Sequence, residues 1–232
     1  MIERRMEMGL DSYLERMPRY GNTTPDEISA IENYMDWRRQ KENKTYNGTM
    51  EKWCGVSYDK VPKDEILKFY KEHCKFGYAY WDIEKKYSGR YRIIEEVGYW
   101  RKANQIHNWF VENVQDGIDD CSYHNEVTKE ILEELLDICQ RVLDGCELVK
   151  GIIQNGITYE NGKRTLLMED GFYVKDSSVA EELLPTHAGF FFGGYDYDEY
   201  YVESIKNTID IITTVLETTD FETQMIYYVS SW

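Results

Sequence analysis

Two amphipathic helices separated by a β-hairpin signal constrain the fold of this chain more than any other feature. Apolar residues recur at helical spacing from Thr128, a candidate N-cap, to Gly145 and again from about 198 to 217. Between them, Asn161–Gly162 joins two runs rich in β-forming residues, which is the strongest short signal for a tight hairpin. We therefore predict an α+β fold, with a mostly antiparallel sheet packed with several amphipathic helices.

The rest of the chain adds shorter elements of both kinds. Further helices are predicted from Pro25 to about Lys41, after Pro62, and from Gly98 to about Gln115. Strands are predicted at 8–14, as a pair on either side of Ser88–Gly89 within 76–97, at Gly189–Gly193, and from Met225 to Trp232. No internal repeat or low-complexity tract divides the 232 residues, so we expect a single α+β domain, 1–232, with an inserted β-hairpin near 152–174.

The charge is strongly negative and unevenly distributed. The net charge is −16, which argues against general binding to a nucleic-acid backbone, because such binding needs a basic surface. Residues 116–232 hold 24 acidic and only 7 basic residues, whereas the first half is almost balanced. This half is either a solvated acidic surface that favours solubility or an acidic face that docks a basic partner or imitates DNA.

The cysteine pattern and the start of the chain indicate a cytoplasmic protein. The five cysteines include no CxxC pair, which is typical of a reducing compartment. The first residues lack the apolar segment of a signal peptide, and no window approaches 18 apolar residues, so we expect no membrane partner. Cys121 and His124 have C-x-x-H spacing without a second ligand pair. We therefore expect no metal site, no cofactor and no catalytic residues.

The predicted helix from Gly98 to Gln115 holds the densest group of candidate ligand-binding residues. Trp100, Asn104, His107 and Asn108 are spaced so that they can share one side of a helix. The tryptophan offers a stacking surface, the asparagines can hydrogen-bond a base edge or a ribose, and the histidine titrates near neutral pH. Arg101 adds a guanidinium group suited to phosphate. The alternative is a core helix whose polar side chains satisfy neighbouring backbone groups.

A second candidate lies where two glycines precede the last long helix. Tyr195 and Tyr197 could line a pocket or present a partner-binding surface, and surface packing is the alternative. The acidic residues Asp196, Asp198 and Glu199 favour the start of a helix and would repel phosphate.

Several longer motifs carry a family resemblance. They are GLDSYL at 9–14, EVGYWRKANQIHNWFVENVQ at 96–115, DDC at 119–121, ELLPT at 182–186, GFFFG at 189–193, DEYY at 198–201 and YYVSSW at 227–232. In these motifs the chain resembles a family of uncharacterised proteins encoded by bacteriophages, prophages and some bacteria. The resemblance implies a phage accessory protein that acts in the host cell cytoplasm, and it assigns no catalytic or ligand residues.

Three functions are compatible with these observations. The leading hypothesis is a viral counter-defence protein that binds and sequesters a small nucleotide-derived host immune signal, using Trp100, Arg101, Asn104, His107, Asn108, Tyr195 and Tyr197. The first alternative is an acidic inhibitor that binds a host defence protein directly, as a DNA mimic or otherwise. The second is an enzyme that degrades a nucleotide signal. A homo-oligomer is compatible with all three.

Overall fold

The computed structural model describes residues 9–44, 47–49, 63–73, 75–78, 89–160, 163–189 and 193–232. The helices are α1 (Pro25–Glu42), α2 (Asp64–His73), α3 (Asn104–Asn113), α4 (Lys129–Gly145), α5 (Ser178–Leu183) and α6 (Glu199–Thr218). The strands are β1 (Asp11–Pro18), β2 (Lys75–Tyr78), β3 (Gly89–Arg92), β4 (Glu95–Arg101), β5 (Leu148–Glu160), β6 (Lys163–Val174) and β7 (Gln224–Ser231). These elements confirm the predicted α+β class.

The strands form three separate sheets within the described residues. The strands β2 and β3 pair antiparallel, as do β5 and β6, and a three-stranded sheet has the order β4-β1-β7. The chain divides into two compact units, one formed by residues 1–14, 97–219 and 227–232 and the other by 15–96 and 220–226. The boundaries fall inside β1, β4 and β7.

The larger unit is built on α4 and α6, whose apolar faces are buried. Their fully buried residues include Leu132, Leu135, Ile205, Ile212 and Val215. Each helix begins at a side chain that satisfies free backbone N–H groups: the Thr128 hydroxyl accepts from Ile131, and the Asp198 carboxylate accepts from Tyr200 and Tyr201. The helices predicted over 128–145 and 198–217 are therefore confirmed, including the Thr128 cap.

The smaller unit is organised around α1. This helix begins with a capping box, in which Thr24 and Glu27 each accept a hydrogen bond from the other's backbone N–H. Further along the helix, the Glu32 carboxylate accepts the backbone N–H groups of Ile93 and Ile94. Burial raises the pKa of Glu32, although the two backbone donors oppose that shift. The predicted helices after Pro25 and Pro62 are both present, as α1 and α2.

The prediction of one helix from Gly98 to Gln115 is wrong over its first six residues, 98–103. Residues 95–101 form strand β4, and the helix α3 begins only at Asn104. In β4 the side chains alternate, with Tyr99 and Arg101 outward and Trp100 buried. Gly98 is packed so closely in this strand that an added Cβ atom would lie 2.7 Å from Ile211 Cγ2. Lys102, at φ 57°, then turns the chain into α3.

The β-rich segments mostly match their predictions. The hairpin predicted near 152–174 is present and longer, with pairing from Leu148–Val174 to Glu160–Lys163. Its predicted turn at Asn161–Gly162 lies outside the described residues, as do 190–192 of the predicted strand Gly189–Gly193. A strand pair is present within 76–97 as β2 and β3, with Phe76 opposite Tyr91. The predicted break at Ser88–Gly89 is misplaced, because Gly89 is the first residue of β3 and pairs with Tyr78. The terminal strand is present as β7, and the predicted first strand begins at Asp11 rather than residue 8.

Substitution of Phe110 tests the packing of α3. Phe110 and Ile106 are fully buried, as expected from their spacing, and the Phe110 ring stacks on Tyr228 with ring centroids 4.2 Å apart. Phe110→Ala should therefore lower the free energy of unfolding by about 3–5 kcal/mol, measured by urea denaturation. The control Phe172→Ala removes a ring that is 44% exposed and should cost less than about 1 kcal/mol. Equal losses in the two variants would contradict this packing.

Candidate functional site

The indole of Trp100 is not available for stacking on a ligand. It lies on β4 rather than on a helix and is only 1% exposed. Its Nε1 donates a hydrogen bond of 2.9 Å to the Thr208 hydroxyl of α6. The side chain therefore packs in the interior of the larger unit, and its single polar atom is satisfied there.

Arg101 lies on the opposite side of β4 and is paired with an acid. Its Nη1 is 2.9 Å from both carboxylate oxygens of Asp11, and the Tyr99 hydroxyl donates to the same carboxylate at 2.6 Å. The hydrogen bond to Asp11 raises the pKa of Arg101. A phosphate group bound here would have to compete with an intramolecular carboxylate.

Asn104 fixes a loop rather than projecting into open space. Its Nδ2 donates to the Gly194 carbonyl at 2.9 Å, and its Oδ1 accepts from the His187 backbone N–H at 2.8 Å. Gly193 adopts φ 102° beside this contact, and a Cβ atom there would lie 2.9 Å from the Lys102 carbonyl oxygen. The loop can therefore approach the start of α3 closely only because residue 193 is glycine.

The two candidate tyrosines belong to the same loop. Tyr195 is 47% exposed, and its hydroxyl donates to the Gly189 carbonyl at 3.3 Å. The Tyr197 hydroxyl accepts from the Thr186 N–H at 3.3 Å. The structure therefore brings Tyr195 and Tyr197 to the loop that Asn104 holds. Trp100 and Arg101 lie on β4 and bond to Thr208 and Asp11 instead. Asn108 is half-buried on α3.

His107 connects three segments of the larger unit. Its ring is 1% exposed, with Nδ1 2.8 Å from the Tyr228 hydroxyl and Nε2 3.0 Å from Asp119 Oδ1. The same Asp119 oxygen accepts from Trp232 Nε1 at 3.0 Å. The histidine thus links α3 to the end of β7 and to the turn that follows α3.

Burial decides the protonation state of this histidine. Desolvation lowers the pKa of His107 below its ordinary value of 6.5, and the Asp119 carboxylate only partly opposes that shift. In the neutral ring, Nε2–H donates to Asp119 and Nδ1 accepts from Tyr228, so both nitrogens are satisfied. Burial raises the pKa of Tyr228 as well, which keeps its hydroxyl protonated as the donor.

A second histidine–aspartate pair lies next to the first. His124 Nε2 is 2.8 Å from Asp120 Oδ1, which also accepts the Ser122 backbone N–H at 2.8 Å. The Ser122 contact, followed by the His124 contact, lowers the pKa of the Asp120 carboxylate. The nearby Cys121 is exposed.

No pattern in the sequence predicts that Asp119, Tyr228 and Trp232 lie at His107. The motifs DDC and YYVSSW contain these three residues, but Tyr228 and Trp232 lie more than a hundred residues after α3 in the sequence. A predicted terminal strand also does not indicate which segment its side chains contact. The one available signal was the histidine itself, because a buried imidazole requires two hydrogen-bonding partners.

These arrangements do not form a recognisable reaction centre among the residues that the structure describes. No group of three or more His, Cys, Asp or Glu side chains there could hold a metal ion. Tyr228 is buried at 1% exposure, and desolvation raises the pKa of the buried thiol of Cys139 to about 12. The His107 contacts therefore hold segments together, and ligand binding by the predicted residues stays a prediction.

The β5–β6 hairpin presents an exposed apolar surface. Residues paired across antiparallel strands point to the same face, which places Ile152, Leu166, Met168 and Phe172 together; we call this the outer face. Their side chains are 44–60% exposed. Four large apolar side chains on one face of a two-stranded sheet form a surface typical of an interaction site.

The opposite side of the hairpin packs on the first turn of α6. The Glu199 carboxylate accepts the Phe172 N–H at 3.2 Å, and the Tyr200 hydroxyl donates to Glu169 at 3.0 Å. Ile153 is buried on this side, and the Tyr173 ring lies so close over Gly151 that an added Cβ would be 2.5 Å from Cε1. Within the described residues, these contacts hold the hairpin from the side opposite the outer face.

Comparison with known proteins supplies no relative. No protein-family model, curated protein or solved structure matches this chain. The resemblance to a phage-encoded family accordingly stays a prediction. Among the described helices, none is long and apolar enough to cross a membrane.

Substitution of Asn104 tests its role in holding the loop. Asn104→Ala leaves the His187 N–H and the Gly194 carbonyl without their partner, which should cost about 1–3 kcal/mol of unfolding free energy. Amide hydrogen exchange at His187 should become faster. Asn108→Ala, on the same helix, is the control and should leave this exchange unchanged. Unaltered protection of His187 in Asn104→Ala would contradict the assignment.

The pH dependence of stability tests the neutral state of His107. The pKa of His107 lies below 6.5 in the folded protein and near 6.5 in the unfolded chain. Between these two pKa values the unfolded chain binds more protons than the folded protein. The free energy of unfolding should therefore fall as the pH drops below about 6.5 and be fully retained above it. His107→Gln should reduce this slope, measured by urea denaturation at several pH values. An identical slope in both proteins would show that His107 is not buried in neutral form.

Proposed function

We propose that this chain acts by binding a protein, and that the outer face of the β5–β6 hairpin is its binding surface. The single observation that carries this proposal is the exposure of Ile152, Leu166, Met168 and Phe172 on one face. Single exposed apolar residues are ordinary, but four on one face of a two-stranded hairpin are costly to leave in water unless they are used.

The charge pattern defines the chemistry of the partner. Residues 148–174 hold three basic and three acidic residues, so the hairpin is neutral within an acidic half of the chain. A partner that fits has an apolar patch in contact with the hairpin and basic residues around it. Apolar burial would supply the affinity, while opposite charges would accelerate association and set its orientation. The resemblance to phage proteins favours a host defence protein as this partner.

Sequestration of a nucleotide-derived signal is the less supported function. Trp100 is buried and Arg101 is paired with Asp11, so the expected combination of a stacking ring and a free guanidinium group is not assembled around them. No observation among the described residues supports an enzyme that degrades such a signal.

Two matched substitutions test the proposal. Ile152→Glu and Ile118→Glu place the same charge at isoleucines that are 60% and 52% exposed, but only Ile152 lies on the outer face. Proteins retained from a bacterial lysate by the immobilised wild-type chain would be purified and their affinities measured by calorimetry. A protein bound through the outer face should lose affinity by about tenfold or more with Ile152→Glu and be unaffected by Ile118→Glu, since a buried charge opposes apolar docking.

Two results would overturn the proposal. One is a partner whose affinity is the same for Ile152→Glu and the wild-type chain. The other is a nucleotide that raises the melting temperature of the purified protein and binds more weakly after Arg101→Ala, because that result identifies the predicted ligand site as the functional one.

A further inference from the structure

The outer edge of strand β6 has no strand beside it over most of its length. The hairpin is a sheet of two strands, so from Lys163 to Asp170 no other described strand pairs with β6 on the side away from β5. Near Val174 this edge is covered, since Val174 N–H donates to the Tyr197 carbonyl and Tyr173 bridges Asp198. An exposed strand edge with apolar residues is a template for pairing with another chain.

The covered end shows which residues face outward along this edge. The backbone N–H groups of Phe172 and Val174 point away from β5, toward Glu199 and Tyr197. Because this direction alternates along a strand, the N–H and C=O groups of Leu166 and Met168 also point away from β5. These groups are available for a ladder of main-chain hydrogen bonds with a further strand.

The sequence of this edge is complementary to its own reverse. Residues 163–170 read KRTLLMED, with two basic residues at one end, two acidic residues at the other and three apolar residues between them. If two copies of this segment pair antiparallel, the basic end of each faces the acidic end of the other. The leucines Leu166 and Leu167, which are 45% and 48% exposed, then meet at the centre.

We propose that two copies of this chain form a symmetric dimer by antiparallel pairing of their β6 edges, centred on Leu166–Leu167. Paired residues must point to the same face, so the two central registers place either Leu166 or Leu167 on the two-fold axis. Lys163 of one copy is directly opposite Glu169 of the other in the first register and diagonal to it in the second. The dimer contains each such contact twice.

This pairing changes the surface that the hairpin presents. A two-fold axis perpendicular to the sheet joins the outer faces of the two hairpins side by side, which produces a four-stranded sheet with the exposed apolar residues of both copies on one face. An isolated two-stranded hairpin is marginally stable in water, and added strands stabilise it. The dimer does not depend on partner binding through the outer face, and the purified protein alone is enough to detect it.

A charge exchange across the edge tests the pairing. The dissociation constant of the dimer would be measured by sedimentation equilibrium for the wild-type chain, Lys163→Glu, Glu169→Lys and the double variant. Each single variant places like charges together twice and should weaken the dimer by about tenfold or more. The double variant restores opposite charges at an unchanged net charge and should recover most of the affinity. Because Glu169→Lys also removes the acceptor of Tyr200, recovery in the double variant is the diagnostic result.

Cysteine cross-linking tests the register and the choice of edge. Leu166→Cys or Leu167→Cys should form a disulfide-linked dimer on mild oxidation, because paired residues bring their Cα atoms within about 4.5–5.5 Å. Ile152→Cys is the control, because Ile152 lies on β5, at the outside of the four-stranded sheet. The two β5 strands are three strand spacings apart, about 14 Å. Cross-linking above the wild-type level only at Ile152 would overturn the proposal, as would a wild-type chain that remains monomeric at its highest soluble concentration.

Discussion

The interior of the larger unit depends on α3, a short helix that buries polar side chains instead of a purely apolar face. Asn104, Gln105 and His107 are each at most 4% exposed, and each is hydrogen-bonded to a different segment. Asn104 holds the loop of His187 and Gly194, Gln105 bonds Ser204 of α6, and His107 bonds Tyr228 and Asp119. A buried polar group costs free energy when unpaired, so these contacts specify where each segment must lie.

The same constraint explains which parts of the fold could be predicted from the sequence. Local signals were sufficient for the cap at Thr128, for the burial of Ile106 and Phe110, and for the hairpin, because each depends on residues within a few positions. The helix prediction is wrong over 98–101 because Tyr99 and Trp100 match a helical stripe by spacing alone. The actual alternation of this segment, with Trp100 inward and Arg101 outward, is set by pairing in the sheet with β1, which is distant in sequence.

The candidate site was only partly predictable for a related reason. The spacing on the predicted helix indicates Asn104 and His107 as candidates for binding a ligand, and this stays a prediction. In the structure both side chains are hydrogen-bonded to groups of the chain itself, up to 121 residues away in sequence for His107 and Tyr228. Residue type and spacing indicate that a polar group needs a partner, but not whether that partner is a ligand or another segment.

A division of roles within the larger unit follows from this distribution of partners. On β4 and α3, three of the candidate side chains are hydrogen-bonded within the chain: Trp100 to Thr208, Arg101 to Asp11 and His107 to Asp119. The hairpin differs, since Leu166, Met168 and the neighbouring strand edge are exposed without a covering strand in the described residues. The free energy that an external molecule could gain from this unit therefore lies mainly in burying this apolar surface and completing this strand edge.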